Sequence, residues 1–108
     1  MSENIKTSPN PDTRKNWTIS VEITQPVYVK MQLVPDRLIA EHSSMKNQIT
    51  AILNQNWLNP EEMVLHIIET FNNELVPKWI EVLYQHEGIS IQIDDRQPGL
   101  TNFKSAIK

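Results

Sequence analysis

The sequence predicts an α+β fold, a four-stranded antiparallel sheet with two helices on one face. Three observations lead there. Two alternating apolar segments flank Gln25-Pro26 near the N-terminus, a central stretch follows helical spacing, and two more alternating segments flank Glu87-Gly88.

Trp17, Ile19, Val21 and Ile23 alternate with Thr18, Ser20, Glu22 and Thr24, the pattern of a half-buried strand. After the interruption, Val27, Val29, Met31 and Leu33 alternate with Tyr28, Lys30, Gln32 and Val34. The connection is so short that the two strands should pair as an antiparallel hairpin. Pro35-Asp36 ends the second strand, since proline cannot donate to a sheet ladder.

From about Ser43 the period changes. Met45, Ile49, Ile52, Leu53 and Trp57 share one helical face, with Lys46, Asn47, Gln48 and Asn54 on the other. Ser43 or Ser44 suits the N-cap of this helix. Asn59-Pro60-Glu61-Glu62 opens a second helix. Asn59 caps, Pro60 takes the first helical position, and the two acids sit where the helix dipole favours negative charge. Met63, Val64, Ile67, Ile68, Phe71 and Leu75 form its apolar face, and Pro77 stops it. Trp79 to His86 alternates again, Glu87-Gly88 turns, and Ile89, Ile91 and Ile93 alternate with Ser90, Gln92 and Asp94.

The 108 residues make one domain. Residues 1–16 carry Pro9, Pro11 and polar side chains, with Ile5 the one aliphatic residue, and read as a mobile polar arm. The folded unit spans 17–98, and 99–108 is a tail without clear pattern. A folded part of roughly 90 residues buries only about 60–65% of its unfolded surface, so oligomerisation would help it. The order strand, strand, helix, helix, strand, strand matches the tunnelling-fold unit, whose members join sheets edge to edge around a central channel.

A net charge of −3 and a pI near 5.5 argue against a nucleic-acid binder, whose footprint is a basic patch. The chain has no cysteine, which excludes disulfides, thiolate metal sites and cysteine nucleophiles. No apolar run approaches a membrane span of about 20 residues, and the N-terminus lacks a signal-peptide core. A cytoplasmic protein is expected. His42, His66 and His86 lie on different elements without metal-ligand spacing, so no metal site is expected. Trp17, Trp57 and Trp79 are dispersed and suit core or interface packing.

Val34-Pro35-Asp36 followed by Glu41-His42-Ser43-Ser44-Met45-Lys46 resembles the QueF family of NADPH-dependent reductases, which convert the nitrile of 7-cyano-7-deazaguanine to an amine on the route to queuosine. That family carries a strand, a Pro-Asp turn and then Glu-Ser-Lys-Ser-Leu-Lys opening a helix. Glu41, Ser44 and Lys46 match in place, Met45 is a conservative swap, and His42 and Ser43 depart. In the family this segment is associated with the nicotinamide cofactor, so the resemblance implies NADPH contacts at Glu41, Ser44 and Lys46. The family's second helix opens with Phe-His-Glu and an acid, which is similar to Asn59-Pro60-Glu61-Glu62 here. Glu61 falls where the family places the glutamate that anchors the heterocycle. Gly88-Ile89-Ser90-Ile91 looks like the family's Gly-Gly-Ile-Ala-Ile strand.

The family's nucleophile loop, Cys-Pro-x-Thr-Gly-Gln-Pro-Asp, has no counterpart. Thr24-Gln25-Pro26-Val27 keeps only the Gln-Pro end. The cysteine that attacks the nitrile and the aspartate that donates the proton are gone, and a serine cannot substitute without an activating base. No catalytic residue is therefore assigned. The expectation is a homo-oligomeric ring of QueF-like units that binds a purine- or pterin-like ring at subunit interfaces through Glu61, without nitrile reduction. Two alternatives stay open: an enzyme acting on a related heterocycle by another mechanism, and a ring-forming module whose role is assembly or partner binding. Glu61 itself has a second role open to it, plain dipole complementation. Glu62 sits at the capping-box position. Asp94-Asp95-Arg96 reads as a solvated turn, because adjacent carboxylates on a strand point to opposite faces.

Overall fold

A computed structural model describes residues 5–97. The main sheet has β2 (Ile19–Ile23), β3 (Tyr28–Val34), β5 (Trp79–His86) and β6 (Ile89–Arg96) in that spatial order, all antiparallel. A second sheet pairs β1 (Thr7–Pro9) with β4 (Leu38–Ala40). Between the hairpins run α1 (His42–Leu53) and α2 (Pro60–Leu75). The expected strand–strand–helix–helix–strand–strand order is present, with the small β1–β4 pair added.

Register explains the core. Ile19, Val21 and Ile23 face Leu33, Met31 and Val29 across the first hairpin. Those three face Ile80, Val82 and Tyr84 on β5, and Ile93 and Ile91 continue the rows on β6. All point to one side, where α1 packs on β2 and α2 packs on β5 and β6. Met45, Ile49 and Ile52 of α1 and Met63, Val64, Ile67 and Phe71 of α2 close the layer. No helix among the described residues is long and apolar enough to cross a membrane.

Both turn predictions at α2 hold. The Asn59 side chain accepts from the Glu62 N–H at 2.8 Å, Pro60 is the first helical residue, and Val76 ends the helix in the left-handed region at φ 45° ahead of Pro77. Glu87 and Gly88 take φ 50° and 81°, the mirror-image turn that suits a two-residue hairpin. The Gln25–Pro26 bond between β2 and β3 is cis.

Four expectations need correction. Residues 5–10 of the supposed arm are tied down. Thr7–Pro9 pair with Leu38–Ala40, Ile5 is buried in the core, and the Asn10 amide donates to the Asp36 carbonyl at 2.6 Å. Long-range partners fix this segment, which local composition does not reveal. The α1 N-cap is Glu41, not Ser43 or Ser44, and no side chain caps it. The Ser43 hydroxyl instead donates to Glu41 Oε1 at 2.8 Å. Trp57 lies beyond α1, which ends at Leu53. Last, β5 is buried at every position from Trp79 to Tyr84, including Trp79, Glu81 and Leu83 on the face away from the helices, so simple alternation understates its burial. The tail 99–108 and residue 98 fall outside the described residues.

Candidate functional site

Glu61 and Glu62 occupy the exposed first turn of α2, directly after the Asn59 cap. They line an open cleft of about 380 Å³ with Trp57, Leu65, His66 and Glu69. On a helix, Glu61, Leu65 and Glu69 form one row at intervals of four residues, and Glu62 and His66 form the next. Trp57 arrives from the α1–α2 loop. Its indole N–H donates to the Ile52 carbonyl at 2.8 Å, satisfying an end of α1 and fixing the ring. The Trp57 and His66 rings pack 5.0 Å apart, tilted 46°. Leu65 is 50% exposed and its neighbour in the loop, Leu58, is 90% exposed. The result is an aromatic and apolar wall rimmed by three carboxylates. None of the three has an ion-pair partner among the described residues, since the pairs present there are Arg14–Asp12, His86–Glu87 and Arg96–Asp94.

Such a site can accept hydrogen bonds from the N–H edge of a planar ring and can stack that ring on an indole. Sequence reasoning assigned Trp57 to packing, and the ring does pack against the core; that it also lines the Glu61 cleft was not foreseen. The Trp57–His66 contact crosses a loop–helix junction, where no periodicity signals it.

The matched cofactor segment lies elsewhere. Glu41 lines a second open cleft, of about 570 Å³, with Lys6, Thr7, Ser8, His42 and Ser43. Ser44 and Lys46 are not on its wall. The Ser44 hydroxyl accepts the Lys6 N–H at 2.9 Å, and the Lys6 carbonyl accepts the Glu41 N–H at 2.9 Å. The chain's own N-terminal segment therefore uses the polar groups at this helix start. One of the three matched residues is an acid, another is engaged, and Lys46 does not line the cleft, so the set does not fit a nicotinamide phosphate. Glu41 and Glu61 head successive helices. Their clefts have no lining residue in common, so the fold does not bring the two sets into one site within a chain.

Asp94 and Asp95 diverge as expected, but with Arg96 they belong to β6 and not to a solvated turn after it, because pairing with Trp79, Ile80 and Glu81 carries the ladder on to Arg96. Asp94 Oδ2 accepts from the Arg96 guanidinium at 2.6 Å and from the Trp79 indole at 3.1 Å. The Arg96 hydrogen bond chiefly holds the Asp94 carboxyl below its usual range, against a smaller opposing effect of burial. Asp95 accepts from the Asn72 amide at 3.0 Å. A depressed carboxylate is the reverse of what a general acid requires. No group of three or more histidines, aspartates or glutamates is placed to hold a metal among the described residues.

The sheet face away from the helices holds a residue that sequence reasoning missed. Glu81 is 2% exposed and accepts the Gln92 amide at 2.8 Å. Gln32 stands opposite it on β3 and donates to Ser20 Oγ at 2.9 Å. The signal was available: a carboxylate inside Trp79-Ile80-Glu81-Val82-Leu83 interrupts an otherwise apolar strand.

Comparison with models of known protein families and with curated proteins finds no match for this chain.

Proposed function

We propose that the chain is a tunnelling-fold relative of the queuosine nitrile reductases that has given up nitrile reduction and binds a flat purine- or pterin-like ring through Glu61 in a homo-oligomeric ring. The observation that carries this reading is the position of Glu61. Its carboxylate opens α2, lines a cleft with an aromatic wall, and has no ion-pair partner among the described residues. The missing reduction chemistry follows from Thr24-Gln25-Pro26-Val27, which offers neither a thiol nor an acid. Titration calorimetry with 7-deazaguanines and pterins tests it. Binding that Glu61→Ala weakens tenfold or more is the expected result. No heat with any of these ligands removes the proposal.

A second reading rests on Leu58 and Leu65. Both are large, apolar and exposed beside the cleft, which also suits a protein partner. Leu58→Ser separates the two, since Leu58 does not line the cleft: a partner surface would lose a contact and a Glu61-anchored ring would not.

A further inference from the structure

Val34, Trp79 and Leu83 are buried, yet none belongs to the core cluster between the sheet and the helices. By register and alternation they share the opposite face of β3 and β5, where Gln32 and Glu81 are buried as well. The helices that touch the sheet, α1 and α2, lie on the core side. Thr13 and Asn16 meet the sheet at one end, through the Lys78 ammonium. Leu83 lies well beyond that end, about 13 Å past Trp79 at the rise of a strand, and is still only 8% exposed. This shielding exists within a single chain, so a second copy is not its source. A fully buried indole on a face that carries no described helix needs a covering segment.

We propose that residues 98–108 turn back from Gln97 and dock on this outer sheet face, covering Val34, Trp79 and Leu83. The described residues end beside the face. The Gln97 N–H donates to the Lys78 carbonyl at 2.9 Å, one step past the Trp79–Arg96 pair. The stretch from Pro98 to Lys108 reaches at most about 36–40 Å when extended, well over the ~13 Å from Trp79 to Leu83. Residues 1–4 are a poorer source, because they precede Ile5, which sits in the core on the far side. The chemistry of 98–108 also suits the face. Leu100, Phe103 and Ile107 offer apolar area to the three buried residues. Lys104 and Lys108, with no acid in the stretch, complement the buried Glu81. The segment is thus a strap over the sheet, and any partner of this face has to displace it first.

The chain has no cysteine, so a single introduced thiol reports on this face in the full chain. Leu83→Cys should react with iodoacetamide about tenfold or more slowly than Ser90→Cys, an exposed reference on β6, because thiol reactivity follows access. Adding Leu100→Asp and Phe103→Asp should bring the two rates within about threefold. In the chain without cysteine, the same two aspartates should red-shift the tryptophan emission and raise its quenching by acrylamide, since Trp79 is fully buried. Rapid reaction of Leu83→Cys with residues 98–108 unaltered overturns the proposal. A slow rate that the aspartates leave unchanged also overturns it, by assigning the cover to another part of the chain. Should Leu83→Cys fail to fold, quenching decides: a rise supports docking and no change overturns it. Should the double aspartate fail to fold, Phe103→Ser takes its place under the same criteria. Glu61 opens α2 on the helix side, so every one of these outcomes leaves ring binding at Glu61 untouched.

Discussion

Asn59 decides where α2 begins, and α2 carries Glu61. Its side chain satisfies the Glu62 N–H, one of the donors a helix start leaves open. Asn59→Ala should lower stability by about 1 kcal/mol and Asn59→Asp should retain most of it, read from urea unfolding midpoints. On the proposed function, affinity for the ring should fall with the alanine variant as well, because the cap orients the turn that presents Glu61. Asp94 gives a pH prediction. Its carboxyl titrates below the usual 3.8, chiefly through the Arg96 hydrogen bond. A folded value below the unfolded one means that the group stabilises the native state fully above the unfolded value. That stabilisation is lost as pH falls through the folded value. Asp94→Asn should therefore be less stable than the parent near neutrality, and the gap should close as pH falls below the usual carboxylate value of 3.8. A gap that stays constant with pH would assign the loss to packing instead. Arg96→Gln should reproduce most of the effect, since the same contact is removed from the other side.

At the level of elements, what could be read from sequence was what local chemistry fixes. Asn59-Pro60 and Pro77 bracket α2, its apolar stripe has a clean period, and Glu87-Gly88 needs the left-handed backbone that favours glycine. The place of Glu61 in the first turn of α2 was legible for the same reason, whereas a ligand role for it came only from the family resemblance. What escaped reading depends on residues distant in sequence. The β1–β4 pair joins segments some thirty residues apart, Lys78 Nζ reaches Thr13 O at 2.7 Å and Asn16 Oδ1 at 3.0 Å, and Trp57 meets His66 across a loop. Composition alone marks Ile5 to Asn10 as an arm, yet Ile5 enters the core. A decisive check is Ile5→Ala. A buried isoleucine truncated to alanine should cost about 2–4 kcal/mol, whereas a mobile arm predicts no change in the urea midpoint. At the other end of the sheet, Gly88→Ala should cost about 1 kcal/mol. Nothing lies within 4 Å of an added Cβ, so the positive φ of 81° alone resists the substitution.

For the whole molecule, the open question is what meets the sheet edges. In the four-stranded order, β2 and β6 each have one neighbour, so their outer N–H and C=O groups have no strand beside them among the described residues. Single-chain proteins blunt such edges with charge, proline or a covering element. Here β6 runs for eight residues and opens on Ile89, which is 52% exposed. A small domain with a long edge strand and scattered exposed leucine, valine and isoleucine gains by pairing that edge with a second copy. Because β2 and β6 are antiparallel-sheet edges on opposite sides of one unit, repeated edge-to-edge joining is head-to-tail, and it closes into a ring if the sheet's twist permits. Sedimentation equilibrium at micromolar concentrations should therefore give a mass that is a multiple of the chain's 12.6 kDa. Ile89→Lys, which puts a charge on the edge, should shift that mass toward the single chain. Its circular dichroism should stay native, since Ile89 lies outside the core. A single-chain mass at every concentration, with the fold intact, would remove the ring and leave the Glu61 cleft to act within one chain.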